Sequence, residues 1–129
     1  MAIEMTYFQT FSFVKESDNS FEFVRSEEEL DEFYTFGDYF DVIETAKTLG
    51  LEDVFRHIVP YTQELDYFVD AKEKKALKEM LISPAECLKI NEEYQLFDQL
   101  LHANPEFDIY LKSVLNNWKK NRYVIIHSC

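Results

Sequence analysis

The sequence predicts an α+β domain: five to six helices packed with a small antiparallel sheet made of an N-terminal hairpin and a C-terminal strand, a mainly α domain being the alternative. Three observations carry that expectation. Apolar and polar residues alternate near the N-terminus, helix-start signals recur through the middle, and β-branched side chains return at the end. With two glycines and three prolines in 129 residues there is little room for long loops, and no repeat or composition shift marks a linker, so residues 1–129 are read as one domain.

From Met5 to Val14, Tyr7, Phe11 and Phe13 alternate with threonine and serine, Phe8 being the exception, which reads as a strand. "KESDNS" has turn chemistry, and "FEFVR" resumes the alternation with Phe21 and Phe23 on one face, completing a hairpin. Ser26 and Glu29 form a capping box for a short helix over Glu27 to Phe36, stopped by Gly37. Asp38 is placed to cap a second helix whose stripe is Val42, Ile43, Ala46 and Leu49, ending at Gly50. Glu52 to Val59 reads as a short helix closed by Pro60. Asp70 caps the lysine-rich "AKEKKALKEMLI". Ser83 before Pro84, and Asn104 before Pro105, start helices over Pro84 to His102 and Pro105 to Trp118. "RYVIIHS" closes the chain as a strand.

The N-terminal stretch lacks the basic region and cleavage site of a secretory signal, and no apolar run approaches the roughly twenty residues of a membrane helix. Cys87 and Cys129 have no metal or redox spacing and read as reduced thiols, so the cytoplasm is the expected compartment. A formal charge of -12 and a pI near 4.6 argue against nucleic acid or an anionic membrane as partner, and leave a basic protein compatible.

Charge is unevenly spread. Between Ser26 and Asp53 stand ten acids against Lys47 alone, a local charge of -9, so the remaining chain shares only -3. Such a single-sign cluster repels itself unless solvation or a complementary partner offsets the cost. Helix caps account for Glu27 to Glu29 but not for the whole run. "DEFYTFGDYFDVIE" divides into core, assigned to Phe33, Phe36, Phe40, Val42 and Ile43, and a face of Asp31, Glu32, Asp38, Asp41 and Glu44 bordered by Tyr34 and Tyr39. Tyrosine beside carboxylate suits arginine and lysine, combining ring area and cation–π attraction with a charge-assisted hydrogen bond.

Other constellations weigh less. Asp53 and Asp98 each precede a histidine, His57 and His102, by four residues, a spacing explained by a helix C-terminus. No metal-ligand spacing or glycine-rich phosphate loop occurs, so neither metal nor cofactor is expected. Cys87 with His127 is the most enzyme-like pairing, against which stands the ordinary reading of Cys87 as a buried thiol. Lys72, Lys74, Lys75 and Lys78 read as a solvated helical face. Lys112, Lys119, Lys120 and Arg122 surround Trp118 and Tyr123, a basic and aromatic mixture whose nucleic-acid reading the overall charge opposes.

The expectation is therefore a small acidic cytoplasmic protein without catalytic residues that binds and neutralises a basic partner, most concretely an immunity protein blocking a nuclease-like toxin domain. A DNA mimic and a small enzyme using Cys87 and the histidines are the alternatives.

Overall fold

The computed structural model describes residues 3–26 and 38–128. The strands are β1 (Ile3–Phe8), β2 (Phe11–Ser17), β3 (Ser20–Arg25), β4 (Tyr61–Thr62), β5 (Phe68–Val69) and β6 (Tyr123–Ser128). The helices are α1 (Tyr39–Thr48), α2 (Glu52–Ile58), α3 (Ala71–Met80), α4 (Pro84–Tyr94), α5 (Leu96–Ala103) and α6 (Asp108–Lys119), the last preceded by a 3-10 turn over Pro105–Phe107. The α+β class is as expected.

The strands divide between two three-stranded sheets, of order β1-β6-β4 and β2-β3-β5. Met5 to Val14 is accordingly two strands. The chain changes sheets at Gln9 and Thr10, whose N–H groups both donate to Ser26 Oγ, at 2.9 and 3.1 Å. Phe8, the exception to the alternation, is the residue at this crossing. Its ring packs among Phe11, Phe23 and Tyr123 at centroid distances of 5.7 to 5.9 Å. The hairpin forms as read, between β2 and β3, but the closing strand β6 returns to β1 rather than to the hairpin, pairing antiparallel from Ile3↔Ser128 to Phe8↔Tyr123. The two short strands arise in the irregular "YTQELDYFV", where β4 runs parallel to β6 and β5 adds to β3.

The continuous apolar run of β6 reflects burial on both faces. Val124 and Ile126 join Met5 and Tyr7 in a core with α1, α2, α4, α5 and α6, whereas Ile125 and Phe8 face a second core with Phe23, Val69, Leu77 and Leu81. The first sheet is therefore a middle layer. Five helices cover one side, and the second sheet with α3 covers the other. Over that outer layer Lys74 Nζ stands 4.1 Å from the Phe21 ring centroid and Lys78 Nζ 5.9 Å from that of Phe13, so two of the four α3 lysines cover aromatic surface while Lys72 and Lys75 point to solvent.

Side-chain caps start α3, α4 and the 3-10 turn. Asp70 Oδ1 accepts from Glu73 N–H at 2.8 Å, Ser83 Oγ from Glu86 N–H at 3.2 Å and Asn104 Oδ1 from Glu106 N–H at 3.0 Å. α1 ends in a Schellman turn: Gly50 at φ 72° lets its N–H reach Lys47 O and that of Leu51 reach Ala46 O. One helix is two. The stretch from Pro84 to His102 breaks at Gln95, which adopts φ 49° and ψ 41°, and Asn91 Oδ1 accepts Phe97 N–H at 2.9 Å to satisfy the start of α5. The expected helix from Glu27 to Phe36 lies outside the described residues.

Candidate functional site

α1 carries the described part of the acidic face. An α-helix turns about 100° per residue, so Tyr39, Val42, Ile43 and Ala46 form one continuous stripe, and all four are buried. The opposite side presents Phe40, Asp41, Glu44 and Thr48, all exposed. Thr45 and Thr48 turn their hydroxyls back to the carbonyls of Asp41 and Glu44, at 3.0 and 3.1 Å, leaving the two carboxylates and the exposed Lys47 ammonium as the outward charged groups of that side.

Of the seven residues assigned to the face, Asp31, Glu32 and Tyr34 lie outside the described residues. Asp41 and Glu44 are exposed, and Asp38 is half-buried at the N-cap position of α1. The Asp38 side chain makes no capping hydrogen bond, contrary to the role read from its position. Among the described residues, none of Asp38, Asp41 and Glu44 takes part in an ion pair. The nearby acid that does is Glu52, held by Arg56 at 3.2 Å on α2.

Tyr39 and Phe40 exchange the places expected of them. Tyr39 is fully buried, so it does not border the acidic face, while Phe40 is 50% exposed and is not core. The helical register decides this: Tyr39 sits three and four residues before Val42 and Ile43, and Phe40 is one step off the stripe. Side-chain type misled where spacing did not. Tyr39 tolerates burial because its hydroxyl donates to Val59 O at 2.7 Å, and burial pushes its pKa well above the ordinary tyrosine value. The Phe40 ring leans edge-on against Tyr61, with centroids 5.6 Å apart.

The enzyme-like residues are arranged otherwise. Cys87 is buried in the helical core with its Sγ 3.8 Å from Ile58 O, and its thiol is pushed up to about 12, first by burial and then by the Glu86 charge. A thiol so held is a poor nucleophile. His127 lies on β6 and bonds to other groups: Nδ1 donates to the Ser128 carbonyl at 3.1 Å, and Nε2 lies 2.7 Å from the Thr6 hydroxyl. His57 and His102 are exposed in the last turns of α2 and α5, as their spacing implied. Among the described residues no group of three or more His, Cys, Asp or Glu side chains is placed to hold a metal ion, and no helix is long and apolar enough to cross a membrane.

Among the described residues, six helices on a two-sheet framework make an α+β fold, with the Phe40 ring exposed on the same side of α1 as Asp41 and Glu44. Comparison with known proteins gave no matching family, no matching curated protein and no matching solved structure.

Proposed function

We propose that this protein binds a basic protein surface through the outward side of α1, in the manner of an immunity protein that neutralises a toxic nuclease-like domain in the cytoplasm. The observation that carries the reading is the half-exposed Phe40 ring on the same side of α1 as the exposed Asp41 and Glu44. Interface hot spots commonly combine an aromatic anchor with polar groups around it. Here the exposed carboxylates Asp41 and Glu44 outnumber the one exposed cation of the helix, Lys47, and a net negative charge matches lysine and arginine and speeds encounter with a basic partner. Nucleic-acid-processing proteins need basic surfaces to hold phosphates, so an acidic protein that covers such a surface blocks substrate access.

Low-salt affinity capture from native lysate, eluted by rising salt, tests the reading. The wild type is expected to retain a basic protein whose catalytic activity falls on adding it back. Phe40→Ala and the double variant Asp41→Lys, Glu44→Lys are expected to lose that protein while keeping the circular dichroism of the wild type. Equal retention by the charge-reversed variant rules out α1 as the binding face.

A further inference from the structure

The C-terminus of α6 separates the basic and aromatic residues that the sequence places together. Trp118 is buried with its ring stacked on Phe97, centroids 5.3 Å apart, and the half-buried Tyr123 stacks on Phe8 at 5.7 Å against the second core. The cations go elsewhere. Lys112, Lys120 and Arg122 line one open cavity of about 510 Å³ beside Asn116 and Asn117, and Lys119 does not line it.

The position of Arg122 is built by the backbone. α6 closes in a second Schellman turn, with Asn121 at φ 61° and its N–H on Trp118 O at 2.9 Å, and Arg122 N–H then reaches back to Asn117 O at 2.9 Å. That turn folds Arg122 under the end of the helix. Its guanidinium donates from Nη1 to Asn117 Oδ1 at 3.3 Å and lies 5.1 Å from the centroid of the Tyr7 ring. Asn117 is only 5% exposed and is itself fixed by an Nδ2 bond to Ser113 O at 2.9 Å. A buried amide and an aromatic face thus orient one guanidinium towards a cavity. The helix dipole explains lysines near a C-terminus, but it does not explain this arrangement of a residue beyond the helix.

We infer that this cavity binds a small organic phosphate monoester. Its charged lining is three cations against one carboxylate, Asp108, which pairs with Lys112 at 3.2 Å. The surplus of two positive charges matches the charge of nearly two carried by a phosphate monoester at neutral pH. In a chain of formal charge -12, a concentration of cations on one cavity is not the average of the surface. The Arg122 guanidinium, with Nε buried and Nη1 on Asn117, offers its Nη2 end, and with a lysine ammonium and the Asn116 amide it is a suitable donor for phosphate oxygens. The volume lies within the range of small-molecule sites and exceeds the need of a bare phosphate. Ile109, 71% exposed on the cavity wall, offers an apolar surface to the body of the ester.

Calorimetric titration of the full chain at low salt with phenyl phosphate, inorganic phosphate and benzoate tests this site. Phenyl phosphate is expected to bind more tightly than inorganic phosphate, and benzoate, with one charge, about tenfold more weakly than phenyl phosphate. Lys120→Gln, a change at an exposed residue, is expected to weaken phenyl phosphate about tenfold, and Lys119→Gln to leave it unchanged. Absence of phenyl phosphate binding, benzoate binding as tight as phenyl phosphate, or an equal loss in both lysine variants overturns the proposal.

Discussion

The hydroxyl of Tyr39 donates to the carbonyl of Val59 across 2.7 Å, joining the first turn of α1 to the residue that caps the end of α2. Both groups are buried, so the bond cannot be exchanged for water. Tyr39→Phe keeps the ring and its packing against Phe55 and Tyr61 but removes the donor from a buried carbonyl. The expected cost is about 1–3 kcal/mol in urea unfolding. Phe40→Ala, one residue away, is expected to cost less because half of its surface is already in water. Reversal of that order would contradict the assignment of Tyr39 to the core.

Alkaline pH should loosen the same core. Tyr39 and Cys87 both have folded pKa values raised mainly by burial, Tyr39 from 10.0 and Cys87 from 9.0 to about 12. Below the unfolded values both states keep these protons and the stability is fully present. As pH rises, the unfolded chain releases them first, so it binds fewer protons than the native state and unfolding becomes easier. Chemical denaturation from neutral pH upward should show a decline beginning near pH 9, where Cys87 titrates in the unfolded chain. Cys87→Ala should flatten the first part of that decline, before Tyr39 contributes above 10.0. Parallel pH profiles for variant and wild type would refute the contribution of Cys87.

What the sequence made legible follows its local chemistry. Asp70, Ser83, Asn104 and Gly50 act where their side chains or backbone freedom predict, because a cap or a left-handed stop involves only residues within a few positions. The division of the strands into two sheets was not legible, since Gln9 and Thr10 have no turn signature and their N–H groups are satisfied by Ser26, sixteen or more residues away. The break at Gln95 is similarly silent: no glycine or proline marks it, and the compensating group is the side chain of Asn91. On the acidic face, Asp41 and Glu44 were readable as outward, and the stripe through Val42, Ile43 and Ala46 already contained Tyr39. The cavity at Lys120 and Arg122 depends on a turn at Asn121 and on Tyr7 from the other end of the chain, which no local pattern brings together.

The lysines of α3 offer a test of how the second core is closed. Lys74 is half-buried, and its ammonium stands 4.1 Å from the Phe21 centroid, so both its stem and its charge cover the ring. Lys74→Met should retain the stem and lose about 0.5–1 kcal/mol of cation–π attraction. Lys74→Ala should lose more, and Lys75→Ala, exposed on the same helix, should change stability by less than about 0.5 kcal/mol. Equal unfolding midpoints for the two alanine variants would show that Lys74 contributes no more than an ordinary solvated residue.

Gln95 and Asn121 both take a positive φ for different structural ends, φ 49° between α4 and α5 and φ 61° after α6. A β-carbon in this region costs roughly 1–2 kcal/mol, less for asparagine, whose short polar side chain tolerates it. Glycine removes that strain and gives back part of the gain through the entropy of the unfolded chain. Both side chains are exposed, so neither substitution opens a cavity. Gln95→Gly should therefore raise the melting temperature, Asn121→Gly should raise it less or leave it level, and Asn121→Val should lower it by the equivalent of about 1–2 kcal/mol. If the Schellman turn is what places Arg122, the valine variant should also lose phenyl phosphate affinity while the glycine variant keeps it. A Gln95→Gly variant less stable than the wild type would mean that the junction of α4 and α5 is held by its side chain rather than strained by it.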